Sequence, residues 1–256
     1  AAAALGGLRA ALSGRWPAPD QVAHLYGSAR LESRRIAIGI AANEARNRLV
    51  VRRTHGRSLD LFSPLVEFED EAAVERLRAP VVLVTAHVGA LYLLSAGLDR
   101  LSAGRLALRW SPLHRPSASE ENAFTSGPLL SRTEVLRRAL ESLRSGKHVV
   151  TALEGPHGSS EPCRLLGRRL DLGRGGFALA RAAGVAVTPV AALWSRSQVR
   201  IAVGPPYEST LAAPAQVARW FEEQLRRSPH NLGLGLLRRL LEGPALESPS
   251  EHTVAF

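Results

Sequence analysis

Short runs of apolar and β-branched residues recur along the chain at 81–86, 149–153 and 185–193, and a shorter strand bounded by arginines is read over 105–110. Runs of this kind predict strands covered on both faces. The segment 198–203 predicts a further strand at an edge of the sheet. Between these runs, apolar positions fall at helical spacing. Leu31, Ile36, Ile40 and Leu49 mark an amphipathic helix over 28–51, and Val135, Leu136, Ala139, Leu140 and Leu143 mark another. That second helix has a capping-box start at Ser131-Arg132-Thr133-Glu134 and a stop at Gly146. Further helices are predicted over 70–77, 91–101, 177–183, 214–227 and 234–241, with Gly184 closing one and Pro214 opening another. Pro17 and Pro19 break any long helix in an N-terminal extension, 1–27, and residues 243–256 form a loose polar tail.

Strands alternating with helices over short links predict an α/β fold, with a mostly parallel central sheet and helices on both faces. The length suits a single domain spanning 1–256. Residues 111–130, rich in Ser, Pro and Asn, form the longest irregular stretch and are expected to serve as a binding loop or lid.

Composition narrows the classes. The one cysteine, Cys163, excludes an internal disulfide framework and a thiolate-rich zinc site. No apolar run approaches the roughly 18 residues of a membrane span. A cytoplasmic protein is therefore expected, with peripheral contact at the inner face of the membrane as an option. The net charge of +10 is carried almost wholly by arginine, since Lys147 is the single lysine. Attraction to anionic headgroups or to a phosphopantetheine group is one reading of that charge, and a biased composition is the other. Basic residues are scattered without interleaved aromatics, so no nucleic-acid partner is expected.

Candidate chemistry begins where the first buried run ends. His87 stands at the mouth of the 81–86 strand, followed by Val88, Gly89 and a helix. Carboxyl ends of parallel strands are where open α/β folds place ligands, and histidine is the side chain suited to take a proton near neutrality. Amides near Gly89 and Ala90 could face a developing oxyanion, and Gly89 would allow close approach of a substrate. Arg109, at the end of the second strand, could hold a phosphate, as could Arg174 beside Gly175 in a glycine-rich loop. Glu154 closes the 149–153 strand and could approach His87 from a neighbouring strand. His87 could equally be a structural helix cap, Glu154 a turn residue, and Arg174 merely solvated. His114, His157 and Cys163 are read as incidental. No HExxH pattern, carboxylate cluster or Gly-x-Ser-x-Gly elbow is present, so neither a metal nor any other cofactor is expected.

Several blocks in order give a family likeness: Thr85-Ala86-His87-Val88-Gly89-Ala90-Leu91-Tyr92, then Ala152-Leu153-Glu154-Gly155-Pro156-His157-Gly158, then Leu172-Gly173-Arg174-Gly175-Gly176, then Gly184-Val185-Ala186-Val187-Thr188-Pro189-Val190. The chain resembles, over about residues 30–240, the lipid A biosynthesis acyltransferases (lauroyl/myristoyl transferases) of the lysophospholipid acyltransferase superfamily. That family carries His-x4-Asp/Glu after a buried strand. The resemblance implies acyl transfer from an acyl carrier protein or acyl-CoA to a lipid or small-molecule acceptor, with His87 as general base. Two departures stand out. Tyr92 occupies the acid position, as a histidine partner or as core packing, and the N-terminal membrane anchor of many members is not seen. The resemblance thus leaves two alternatives: an enzyme with Glu154 replacing the missing acid, or a lapsed homologue that binds acyl chains or an acyl carrier.

Overall fold

The computed structural model describes residues 18–54, 62, 64–101, 106–108, 132–154 and 159–244. Arg109, His114 and His157, the 111–130 segment and the 243–256 tail beyond Pro244 lie outside the described residues. The elements are α1 (Pro19–Tyr26), α2 (Arg30–Thr54), β1 (Val66–Phe68), α3 (Glu71–Glu75), β2 (Val82–Thr85), α4 (Leu91–Leu101), β3 (Leu106–Leu108), α5 (Arg132–Arg144), β4 (His148–Ala152), β5 (Ser160–Leu165), β6 (Arg168–Gly173), α6 (Gly175–Ala183), β7 (Val187–Ser195), β8 (Gln198–Val203), α7 (Ala213–Arg227), a 3-10 turn (Pro229–Asn231) and α8 (Leu234–Glu242).

The sheet runs β1-β8-β7-β2-β4-β3. Its pairings are parallel except between β7 and β8, which are joined by a tight reversal at Arg196. This is the α/β architecture expected, a mostly parallel sheet flanked by helices. Side chains alternate across it. Val82, Val84, Val187 and Ala191 face a core shared with α1, α5, α6, α7 and α8, whereas Leu83, Val190, Ala192 and Trp194 face one shared with α3 and α4. Each fully buried Val, Leu or Phe in these layers contributes about 1.5–3 kcal/mol relative to an exposed one. Contacts between helix and sheet are close: a Cβ at Gly176 would meet Thr151 Cγ2 at 2.7 Å and Val84 Cγ1 at 3.1 Å, so glycine lets α6 settle on β2 and β4.

Some expectations need correction. The 198–203 strand is not at an edge, because β1 pairs along it and leaves Val199 and Ile201 fully buried. Pro19 opens a helix, α1, its missing N–H costing nothing at a first turn. Within α2, Ile36 and Ile40 are buried as expected, but Leu31 and Leu49 are 65% and 49% exposed. Polar side chains, Ser33 and Asn43, take buried places on that helix instead. The glycine-punctuated stretch after Glu154 contains an unexpected hairpin, β5–β6. Its two-residue turn, Leu166-Gly167, has φ of 50° and 74°, the left-handed pair required by the turn that matches strand twist. Leu166 tolerates this because it is buried and its N–H donates to Glu222 Oε2 at 2.8 Å.

Candidate active site

β2 and β4 are neighbours in parallel register, Thr85 opposite Ala152. Two residues further on, each chain leaves the sheet at the same level, and His87 and Glu154 meet. The Glu154 carboxylate is 1% exposed and accepts twice through Oε2: from the His87 backbone N–H at 2.9 Å, and from the ring at Nδ1 in a short contact. The ring itself is half exposed, at 49%. A carboxylate sunk behind a ring and a ring edge facing outward is the polarity that a general base requires. With Nδ1–H held by the carboxylate, the ring's other nitrogen, Nε2, is left as the acceptor.

Burial lowers the His87 pKa, but the Glu154 hydrogen bond and charge outweigh it, so the imidazole titrates above its ordinary value of 6.5. Arg239 on α8 opposes this from a distance and Glu44 on α2 adds to it. Glu154 Oε1 is buried and has no hydrogen-bond partner among the described residues.

Gly89 is required, though for a different neighbour than expected. Its φ is +63°, and a Cβ there would lie 2.0 Å from the Ala192 carbonyl oxygen and 3.1 Å from Asn231 Oδ1. Close approach is to the protein's own β7. The oxyanion role expected of the Gly89 and Ala90 amides is also corrected: Gly89 N–H donates to Asn231 O and Ala90 N–H to Ala192 O, each at 2.6 Å. Free amides lie instead at the first turn of α8. Leu234, Gly235 and Leu236 have no acceptor for their N–H groups among the described residues, and a Cβ on Gly235 would lie 4.0 Å from His87 Cγ.

The remaining candidates are dispersed. The Tyr92 ring is half-buried and packs against the core on the α4 side with Phe62 and Phe68, whereas the hydrogen bonds described for the His87 ring go to Glu154. Arg174 is exposed and ion-paired with Glu161, with Nε 2.8 Å from Oε2. Gly175 is exposed at the start of α6 with open space around it. Cys163 is buried in the β5–β6 hairpin, where desolvation pushes its thiol up to about 11.

Side chains that sequence reasoning passed over complete the surroundings. Asn43 and Asn47 on α2 donate to His230 O and Gly89 O, at 2.9 and 2.8 Å. Asn231 is buried and clasps both backbone groups of Trp194. A readable signal was present: two asparagines four apart inside an amphipathic helix, where asparagine is a poor helix former. Trp194, whose indole N–H donates to Asn47, also lines a groove of about 470 Å³ with Leu49, Val50, Phe62, Leu65 and the arginines 46 and 196. The described residues hold no cluster of His, Cys, Asp and Glu able to bind a metal, and no described helix is long and apolar enough to cross a membrane.

No family model matches the chain, and no curated protein sequence does. Among solved structures it is similar to the crystal structure of PlsC, the 1-acyl-sn-glycerophosphate (LPA) acyltransferase from Thermotoga maritima, over 74% of this chain and 80% of that one. With a TM-score of 0.35 and 16% identity, that likeness carries no weight for activity, and the functional reading rests on the geometry around His87.

Proposed function

We propose that this chain is an acyltransferase, moving an acyl group from a thioester of acyl carrier protein or CoA onto a hydroxyl or amine of a lipid or small-molecule acceptor. The observation that carries the reading is the bond between half-exposed His87 and buried Glu154 at the carboxyl edge of the sheet. Glu154 supplies from β4 the carboxylate that position 92 lacks. The ordered sequence blocks shared with the acyltransferase family support the same chemistry.

In this mechanism the His87 Nε2 accepts the proton of the acceptor hydroxyl or amine as its oxygen or nitrogen attacks the thioester carbonyl. The carbonyl π electrons move to oxygen, giving a tetrahedral oxyanion, and the amides opening α8 stand beside the ring as donors to it. The oxyanion collapses, the C–S bond breaks, and the imidazolium returns its proton to the departing thiolate. Glu154 fixes the tautomer and stabilises the imidazolium. The groove beside Trp194 offers apolar walls for an acyl chain, with Arg46 and Arg196 available to an anionic group. Arg109 and Arg174 are further phosphate-binding candidates, and peripheral contact with a membrane would suit a lipid acceptor.

The test is transfer of radiolabelled acyl groups from acyl-CoA and acyl carrier protein to lysophospholipid and amine acceptors. Wild type is expected to transfer and His87→Ala to fall by 10²-fold or more, within the roughly 10²–10⁴ range of acid–base contributions. Activity that survives His87→Ala unchanged rules the mechanism out. Donor binding without transfer by wild type would instead favour the non-catalytic alternative.

A further inference from the structure

The turn that carries His87 is tied down at five of its backbone groups by distant parts of the chain, while Val88 N–H donates locally to Ala86 O. His87 N–H is held by Glu154, and His87 O accepts from Gly233 N–H at 3.0 Å. Gly89 N–H goes to Asn231 O, and Ala90 N–H to Ala192 O. Gly89 O is held by the Asn47 side-chain amide, reaching in from α2. We infer that Asn47 is a positioning residue for His87, fixing the Gly89 carbonyl so that the imidazole stays on the Glu154 carboxylate.

The orientation of that amide is dictated from both sides. Asn47 Nδ2 donates to Gly89 O at 2.8 Å, and its Oδ1 accepts the indole N–H of Trp194 at 3.0 Å. A flipped amide would set donor against donor and acceptor against acceptor. The Trp194 backbone is held in turn, its amide N–H donating to Asn231 Oδ1 at 2.8 Å and its carbonyl accepting from Asn231 Nδ2 at 3.2 Å. Asn47 therefore transmits the fixed position of β7 to the turn. The bond acts two residues from His87, at a glycine whose left-handed φ sets the direction in which the chain leaves the histidine. Losing it frees the Gly89 carbonyl, which has no other donor among the described residues.

This inference rests on the acid–base reading of His87, but its test needs no substrate. His87 titration is followed by NMR of the ring in wild type, Asn47→Leu and Asn43→Leu. Asn43 is the control: it lies one turn away on the same helix and donates to the 3-10 turn, not to the histidine turn. The charged groups acting on His87 are Glu154 after β4, Glu44 on α2 and Arg239 on α8, and neither substitution alters them. Asn47→Leu is expected to lower the His87 midpoint, because a loosened ring loses Glu154. Asn43→Leu is expected to lower stability alone. An unmoved midpoint in Asn47→Leu, or an equal fall in both variants, overturns the inference. If Asn47→Leu does not fold, Asn47→Ser, which is also neutral and too short to reach Gly89 O, is read in the same way. Where transfer is measurable, kcat is expected to fall on the order of 10²-fold at nearly constant KM; a rise in KM alone would count against positioning. Absence of transfer by wild type would end the proposed function while leaving the titration test intact.

Discussion

Gly89 lies against Ala192 so closely that a Cβ at position 89 would fall 2.0 Å from the Ala192 carbonyl oxygen. The same carbonyl accepts the Ala90 N–H, so it cannot retreat without breaking that bond. Gly89→Ala is accordingly expected to lower stability by about 2–5 kcal/mol, combining left-handed strain with overpacking against backbone. Gly27 provides the comparison: its φ is +60°, but a Cβ there would meet nothing within 4 Å. Gly27→Ala should cost only about 1–2 kcal/mol. Urea unfolding of the two variants decides it, and equal losses would mean that the close approach to β7 is unimportant.

Glu154→Gln keeps the shape of the side chain and removes its charge. Glutamine can present its N–H₂ to the ring, favouring the wrong tautomer, and it cannot stabilise imidazolium. Loss of the analogous aspartate charge in a serine protease costs about 10⁴ in turnover, and a fall of 10²–10⁴ in kcat is expected here on that precedent. The alkaline rise in kcat, set by His87 losing its proton, should move to lower pH in the variant. A fully active Glu154→Gln enzyme would contradict the dyad.

Stability should also depend on pH through His87. Its folded pKa is raised, so its contribution is fully present below the unfolded value of about 6.5 and is lost as pH rises through the folded value. The groups that set this are Glu154, Arg239 and Glu44. Urea midpoints recorded across that window should decline in wild type, and the decline should be smaller in His87→Ala. Identical slopes would show that His87 and Glu154 are not linked in solution.

Tyr92 stands five residues after His87, and its half-buried ring packs against the core on the α4 side, as Phe62 and Phe68 do. With the carboxylate supplied by Glu154, Tyr92→Phe is expected to keep kcat within about 3-fold. Tyr92→Glu should lose ~2 kcal/mol or more of stability by placing a charge among apolar neighbours, without a gain in transfer. A Tyr92→Glu protein that folds normally and transfers faster would return the acid role to position 92.

Much of the site was legible because strand ends are local features. The run 81–86 terminates at His87 and the run 149–153 at Glu154, and two neighbouring parallel strands deliver such ends to one edge. The spacing of Asn43 and Asn47 was visible, but what they hold was not, because their partners come from distant segments. Asn47 reaches Gly89 and Asn231 reaches Trp194, and no residue type at position 89 or 194 announces a free carbonyl.

The chain by itself determined the alternation of strands and helices, the helix stops at Gly146 and Gly184, and the position of His87 at the mouth of a buried strand. These follow from side-chain volume, backbone freedom and periodicity, which contiguous residues carry with them. Tertiary structure decided that β8 is interior, that Leu166-Gly167 closes a hairpin, that Gly89 serves β7, and that Glu154 Oε2 meets the His87 ring. Each of those depends on which segments lie side by side. Periodicity records how far a segment is covered; the identity of what covers it emerges only when distant strands pair.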